Sequence, residues 1–100
     1  MNSRNRKANP ASPLYRAFLA LQTPEECYNF LMDLCTVPEI NAMEQRFEVA
    51  RLLNKGMIYN KILELTGASS ATISRVNRSL NYGTDGYRMV MERMGDEEEA

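Results

Sequence analysis

The sequence contains no histidine. With it go the commonest general base and the commonest metal-ligating side chain. Cysteine is scarce. Cys27 and Cys35 lie eight residues apart on one predicted helix. The helical rise separates them by roughly 12 Å, too far for a disulfide, and the spacing matches no zinc pattern. They read as small core residues of a protein held in a reducing compartment. No apolar run approaches the ~20 residues that span a bilayer. Arg4, Arg6 and Lys7 are followed by no apolar stretch of the signal-peptide kind, so a cytoplasmic protein is expected. There is no phosphate-cradling glycine loop and no serine in a nucleophile elbow. The adjacent acids Glu25 and Glu26 are explained as helix-start residues favoured by the macrodipole. An enzyme is therefore the least supported class, and neither a metal nor a resident cofactor is expected.

What is present is an ordinary globular composition, 44% hydrophobic and 25% charged, in 100 residues. Residues 1–12 read as a disordered basic arm, 13–95 as one helical domain and 96–100 as an acidic tail. Ser12-Pro13 starts a first helix with Leu14, Phe18 and Leu21 on one face. Thr23-Pro24-Glu25-Glu26 is a capping box. The helix behind it carries Cys27, Phe30, Leu31, Leu34 and Cys35 at helical spacing. Thr36, Pro38 and Glu39 mark a longer helix to about Lys55, with Ile40, Met43, Phe47, Ala50 and Leu53 inward and Gly56 as its left-handed stop. Asn81-Tyr82-Gly83 reads as a loop. Thr84 and Asp85 begin a last helix bearing Tyr87, Val90, Met91 and Met94, ending at Gly95. The class is all-α, with six helices and no strand. The apolar stripes on the first helices exceed what so short a subunit can cover, which points to a second copy.

Residues 57–80, MIYNKILELTGASSATISRVNRSL, carry the functional signal. A turn at Gly67 between two short helices makes a helix-turn-helix. Ile62, Leu63, Ala68, Ile73 and Val76 then fall between the helices. Ser69, Ser70, Ala71, Thr72, Ser74, Arg75 and Arg78 fall on the outer flank of the second helix, the one that enters the major groove in this motif. Small residues let a helix approach base edges, and arginine donates to phosphate or guanine. A plain helical hairpin is the competing explanation, and Gly67 alone does not exclude it.

The net charge of −1 hides an asymmetry. From Glu25 to Glu48 there are six acids and one base, Arg46. From Arg51 to Arg88 there are six bases and two acids. The basic half holds the helix-turn-helix, as a DNA-binding surface requires, although chance clustering on solvated faces gives the same count.

Thr36, Ala42-Met43, Arg46, Leu53, Lys55-Gly56-Met57, Gly67-Ala68, the run Ala71-Thr72-Ile73-Ser74-Arg75 and Ser79-Leu80 together resemble the tryptophan-repressor family. The ending ATISRVNRSLNYGTDGY resembles its uncharacterised YerC/YecD-type branch more than the amino-acid-responsive repressor. The resemblance covers about residues 14–94. It implies an intertwined, six-helix homodimer that binds double-stranded DNA as a transcriptional regulator, a repressor by family habit. The alternative is a helical dimerisation or protein-interaction module that has lost DNA binding. Carried over by motif, Thr36, Arg46, Arg75 and Ser79 occupy effector-contacting positions. Tryptophan, another small effector, or none remain open, because Val76 stands where the family has a glycine beside the ring. Glu44 likewise replaces a small residue near Arg46.

Overall fold

The computed structural model describes residues 9–95. They form six helices and no strand: α1 (Pro13–Ala20), α2 (Pro24–Leu34), α3 (Val37–Asn54), α4 (Tyr59–Thr66), α5 (Ser70–Tyr82) and α6 (Gly86–Met94). The acidic tail and residues 1–8 of the expected arm lie outside the described residues. Within that arm, residues 9–12 make a turn in which Ser12 N–H donates to Asn9 O at 2.9 Å. The chain divides into two compact units, one up to Val37 and one from Pro38 onward.

In the first unit, proline opens both helices at a position where its missing N–H costs nothing. Thr23 Oγ1 accepts from Glu26 N–H at 3.1 Å. The Glu26 carboxylate reaches back to Gln22 N–H at 2.8 Å, one residue further than in the usual capping box. Phe18 and Phe30 meet edge to face with centroids 5.7 Å apart, the geometry that ring quadrupoles favour. No residue of α1 or α2 is buried, and Leu14, Phe18, Met32 and Leu34 are exposed. Both cysteines are free, Cys27 exposed and Cys35 half-buried. The expected core position of Cys27 is thus not met among the described residues.

The core belongs to the second unit: Val49, Ala50 and Leu52 of α3, Ile62 of α4, Ala68 of the turn, and Ile73 and Val76 of α5. Each large aliphatic there contributes roughly 1.5–3 kcal/mol by leaving water. Ile40 and Ala50 are buried as expected, and Met43, Phe47 and Leu53 are half-buried. Val49 and Leu52 join them because α3 is covered on two flanks. One flank meets the helix-turn-helix. On the other, Phe47 stacks on Tyr87 of α6 with centroids 6.3 Å apart. The end of α3 is a Schellman closure: Met57 N–H donates to Leu52 O at 3.1 Å and Gly56 N–H to Leu53 O at 2.9 Å.

The helix-turn-helix forms where the sequence places it. Gly67 has φ +71°, and its N–H closes α4 onto Leu63 O at 2.9 Å. Thr66 braces the turn twice, its hydroxyl donating to Ile62 O at 2.7 Å and accepting from Ala68 N–H at 3.1 Å. Ile62, Ala68, Ile73 and Val76 are buried, but Leu63 is 44% exposed. It lies about 100° around α4 from Ile62 and misses the contact with α5. α5 also continues through Asn81 and Tyr82, which read as loop in the sequence. Asn81 lies in the last turn of α5, and its side-chain amide donates to Asn77 O, one turn back, at 3.0 Å. Gly83 then stops the helix.

Candidate DNA interface

The N-terminal turn of α5 is built by Ser69 and Thr72. Ser69 Oγ caps the helix by accepting from Thr72 N–H at 3.1 Å, and its own proton goes to Thr72 Oγ1, also at 3.1 Å. Their first task is therefore to hold the helix start that projects from the core. Beyond them the outer flank separates into two rows at helical i, i+4 spacing. Ser70, Ser74 and Arg78 form one row, all exposed. Ala71 and Arg75 begin the other, beside α3. The first row is an exposed face of α5. It has small hydroxyl side chains near the helix start and a guanidinium two turns on.

The second row faces Arg46. Arg46 and Arg75, with Ala42, Gln45, Ala71 and Thr72, line one cleft of about 210 Å³. Of the four expected effector-contacting residues, these two arginines are brought together. Ser79 lines a different, more open cavity of about 560 Å³ with Phe47, Gly83, Thr84 and Tyr87. Thr36 lies in the first unit. Thr72 and Gln45 are cleft residues that the motif comparison did not assign to an effector. Only the packing of α5 against α3 reveals them.

Val76 and Glu44 depart from the family pattern, and neither lines the arginine cleft. Val76 is 1% exposed and belongs to the core with Val49, Ala50 and Ile73. Glu44 lines a second cleft with Asn41, Glu48, Leu65 and Thr66.

Several bases of the 51–88 segment are engaged by neighbouring side chains or backbone. Arg51 pairs with Glu48 at 2.6 Å and Lys61 with Glu64 at 3.6 Å. Arg88 has its guanidinium engaged by Asn54, Leu80 and Asn81. Arg75 and Arg78, on α5 itself, are exposed. Among the described residues no group of three or more acidic or cysteine side chains could hold a metal ion, and no helix is long and apolar enough to cross a membrane.

Comparison with known proteins agrees with this architecture. The family model described as Trp repressor protein matches residues 12–95. A Bacillus subtilis (strain 168) protein, the uncharacterised protein YerC, is 53% identical over 85 residues, covering 85% of this chain and 82% of its own. The crystal structure of a TrpR-like protein from Eubacterium eligens ATCC 27750 superposes with a TM-score of 0.80 at 56% identity, over 82% of this chain and 84% of that one.

Proposed function

The chain belongs to the Trp repressor protein family, and from that premise we propose that it is a cytoplasmic homodimer that binds double-stranded DNA sequence-specifically and represses transcription. The carrying observation is the row Ser70, Ser74 and Arg78, exposed along an α5 whose opposite face is locked into the core by Ile73, Val76 and Leu80. Ser69, Ala71, Thr72 and Arg75 flank that row at the helix start and complete the proposed DNA surface.

The dimer is supported by the first unit. No residue of its two helices is fully buried, and Leu14, Phe18, Met32 and Leu34 are exposed. A second copy removes that apolar area from water at roughly 25 cal/mol per Å². Two copies of α5 related by a two-fold axis would read a nearly palindromic site, its halves about one helical turn apart.

The test is enrichment of duplexes from a random-sequence pool, followed by a salt titration on the enriched site. A recurrent half-site and an affinity that falls steeply with salt support the proposal. A folded protein that enriches no sequence and shows no salt-dependent binding would favour the protein-interaction module.

A further inference from the structure

We infer that Arg88 is a positioning residue for the DNA-reading helix: a guanidinium clamp that closes the C-terminal end of α5 and ties it to the end of α3. The inference rests on the proposed role of α5 in DNA binding. It assigns to α6 a task beyond packing, and it removes from the DNA surface a base that the charge pattern places there.

The last carbonyls of a helix lack intrahelical donors. At the end of α5, Ser79 O is taken by Gly83 N–H at 2.9 Å. The next carbonyl, Leu80 O, accepts from Arg88 Nε–H at 3.2 Å. Asn81 turns its amide nitrogen back to Asn77, donating to both Asn77 O and Asn77 Oδ1 at 3.0 Å. This presents the Asn81 side-chain oxygen to Arg88 Nη2 at 2.9 Å. The remaining arm, Nη1, donates to Asn54 Oδ1 at 3.0 Å, on the last residue of α3. One planar group thus serves three acceptors on two helices.

Lysine has a single ammonium nitrogen and cannot span that fork. All three acceptors are neutral, so the guanidinium charge stays at the C-terminal end of α5, where the helix dipole favours it. The connection is shaped to return Arg88 to this place. A Cβ on Gly83 would stand 2.4 Å from Ser79 O, and Asp85 turns the chain into α6 with φ +68°. α5 is therefore held at its middle by the core and at its end by Arg88, and the angle at which Ser70 and Ser74 leave the body depends on both.

The experiment uses the full chain and its Arg88→Ala, Arg88→Lys, Asn54→Ala and Asn54→Asp variants, at a temperature where circular dichroism shows each to be fully folded. Amide hydrogen exchange and the Arg88 Nε–H resonance are read in free protein. Affinity and salt slope are read on the duplex enriched by the natural chain. Arg88→Ala should speed exchange over residues 79–83 and weaken DNA binding, each by about tenfold, the equivalent of one hydrogen bond to a charged group. The salt slope should stay unchanged, Arg88→Lys should not rescue, and Asn54→Asp should retain what Asn54→Ala loses. Natural exchange at residues 79–83 in Arg88→Ala would overturn the clamp. A salt slope flattened by about one would overturn it in favour of a direct phosphate contact. If the natural chain enriches no duplex, the DNA reading and the positioning role fall together, whereas accelerated exchange would still establish the clamp on α5.

Discussion

The side-chain amide of Gln45, on α3, donates to the backbone carbonyl of Thr66 at 3.2 Å, joining the long helix to the last residue before the turn of the helix-turn-helix. The bond is partly buried, and Gln45 stands between the cleft of Arg46 and Arg75 and the cleft of Glu44. Gln45→Leu removes the donor and leaves the Thr66 carbonyl without it. We expect a loss of about 1–2 kcal/mol in urea unfolding, with the m-value unchanged. A variant as stable as the natural chain would show that water replaces the amide at no cost.

The glycines that end α4 and α5 should respond differently to alanine. Gly67 has room for a Cβ but a left-handed backbone, so Gly67→Ala should cost about 1–2 kcal/mol, and Gly67→Asn less. Gly83→Ala places its Cβ against the Ser79 carbonyl, which cannot move without opening the last turn of α5. It should be the more damaging of the pair in thermal melts, and the reverse order would show that the 83–85 connection yields easily.

Sedimentation at micromolar concentration should give a dimer. Phe30→Ala and Phe47→Ala should each destabilise it by about 2–5 kcal/mol if a second copy completes their burial, since both are only half-buried in one subunit. A stable, folded monomer would overturn the dimer.

Replacing Arg78 with alanine should weaken binding to the enriched duplex and reduce the salt slope by about one, as loss of a phosphate contact does. This is the opposite signature to that expected of Arg88→Ala. Unchanged affinity and slope would remove Arg78 from the DNA surface.

Millimolar tryptophan should not raise the melting temperature of the natural chain. A ligand at a hundred times its Kd adds roughly 2.7 kcal/mol, which a melt resolves readily. Val76 is a buried core residue on the helix that carries Arg75, and its branched side chain replaces the family's glycine beside the ring. Val76→Gly should lower stability by roughly 3 kcal/mol through the cavity and the weaker helix propensity. A weak tryptophan-dependent recovery in that variant would locate the space. A clear shift in the natural chain, lost in Arg46→Ala or Arg75→Ala, would make the cleft an amino-acid site.

Features held by contacts a few residues long were legible in the sequence. The capping of α2 by Thr23, the left-handed Gly67, and the burial of Ile62, Ala68, Ile73 and Val76 all follow from helix periodicity and cap chemistry, which act within one or two turns. The family followed from the same segments. What only the tertiary structure decided was the partner of each long polar side chain and the second flank of each helix. Arg88 reaches Asn54 across 34 positions of sequence. Ser79 lines another cavity than the arginines it accompanies in the motif, and Val49 and Leu52 are buried because α3 is covered twice. A guanidinium on a flexible stem has several acceptors within reach, and a helix has several faces. Which acceptor and which face are used is set by where the other helices lie, and no local pattern encodes that.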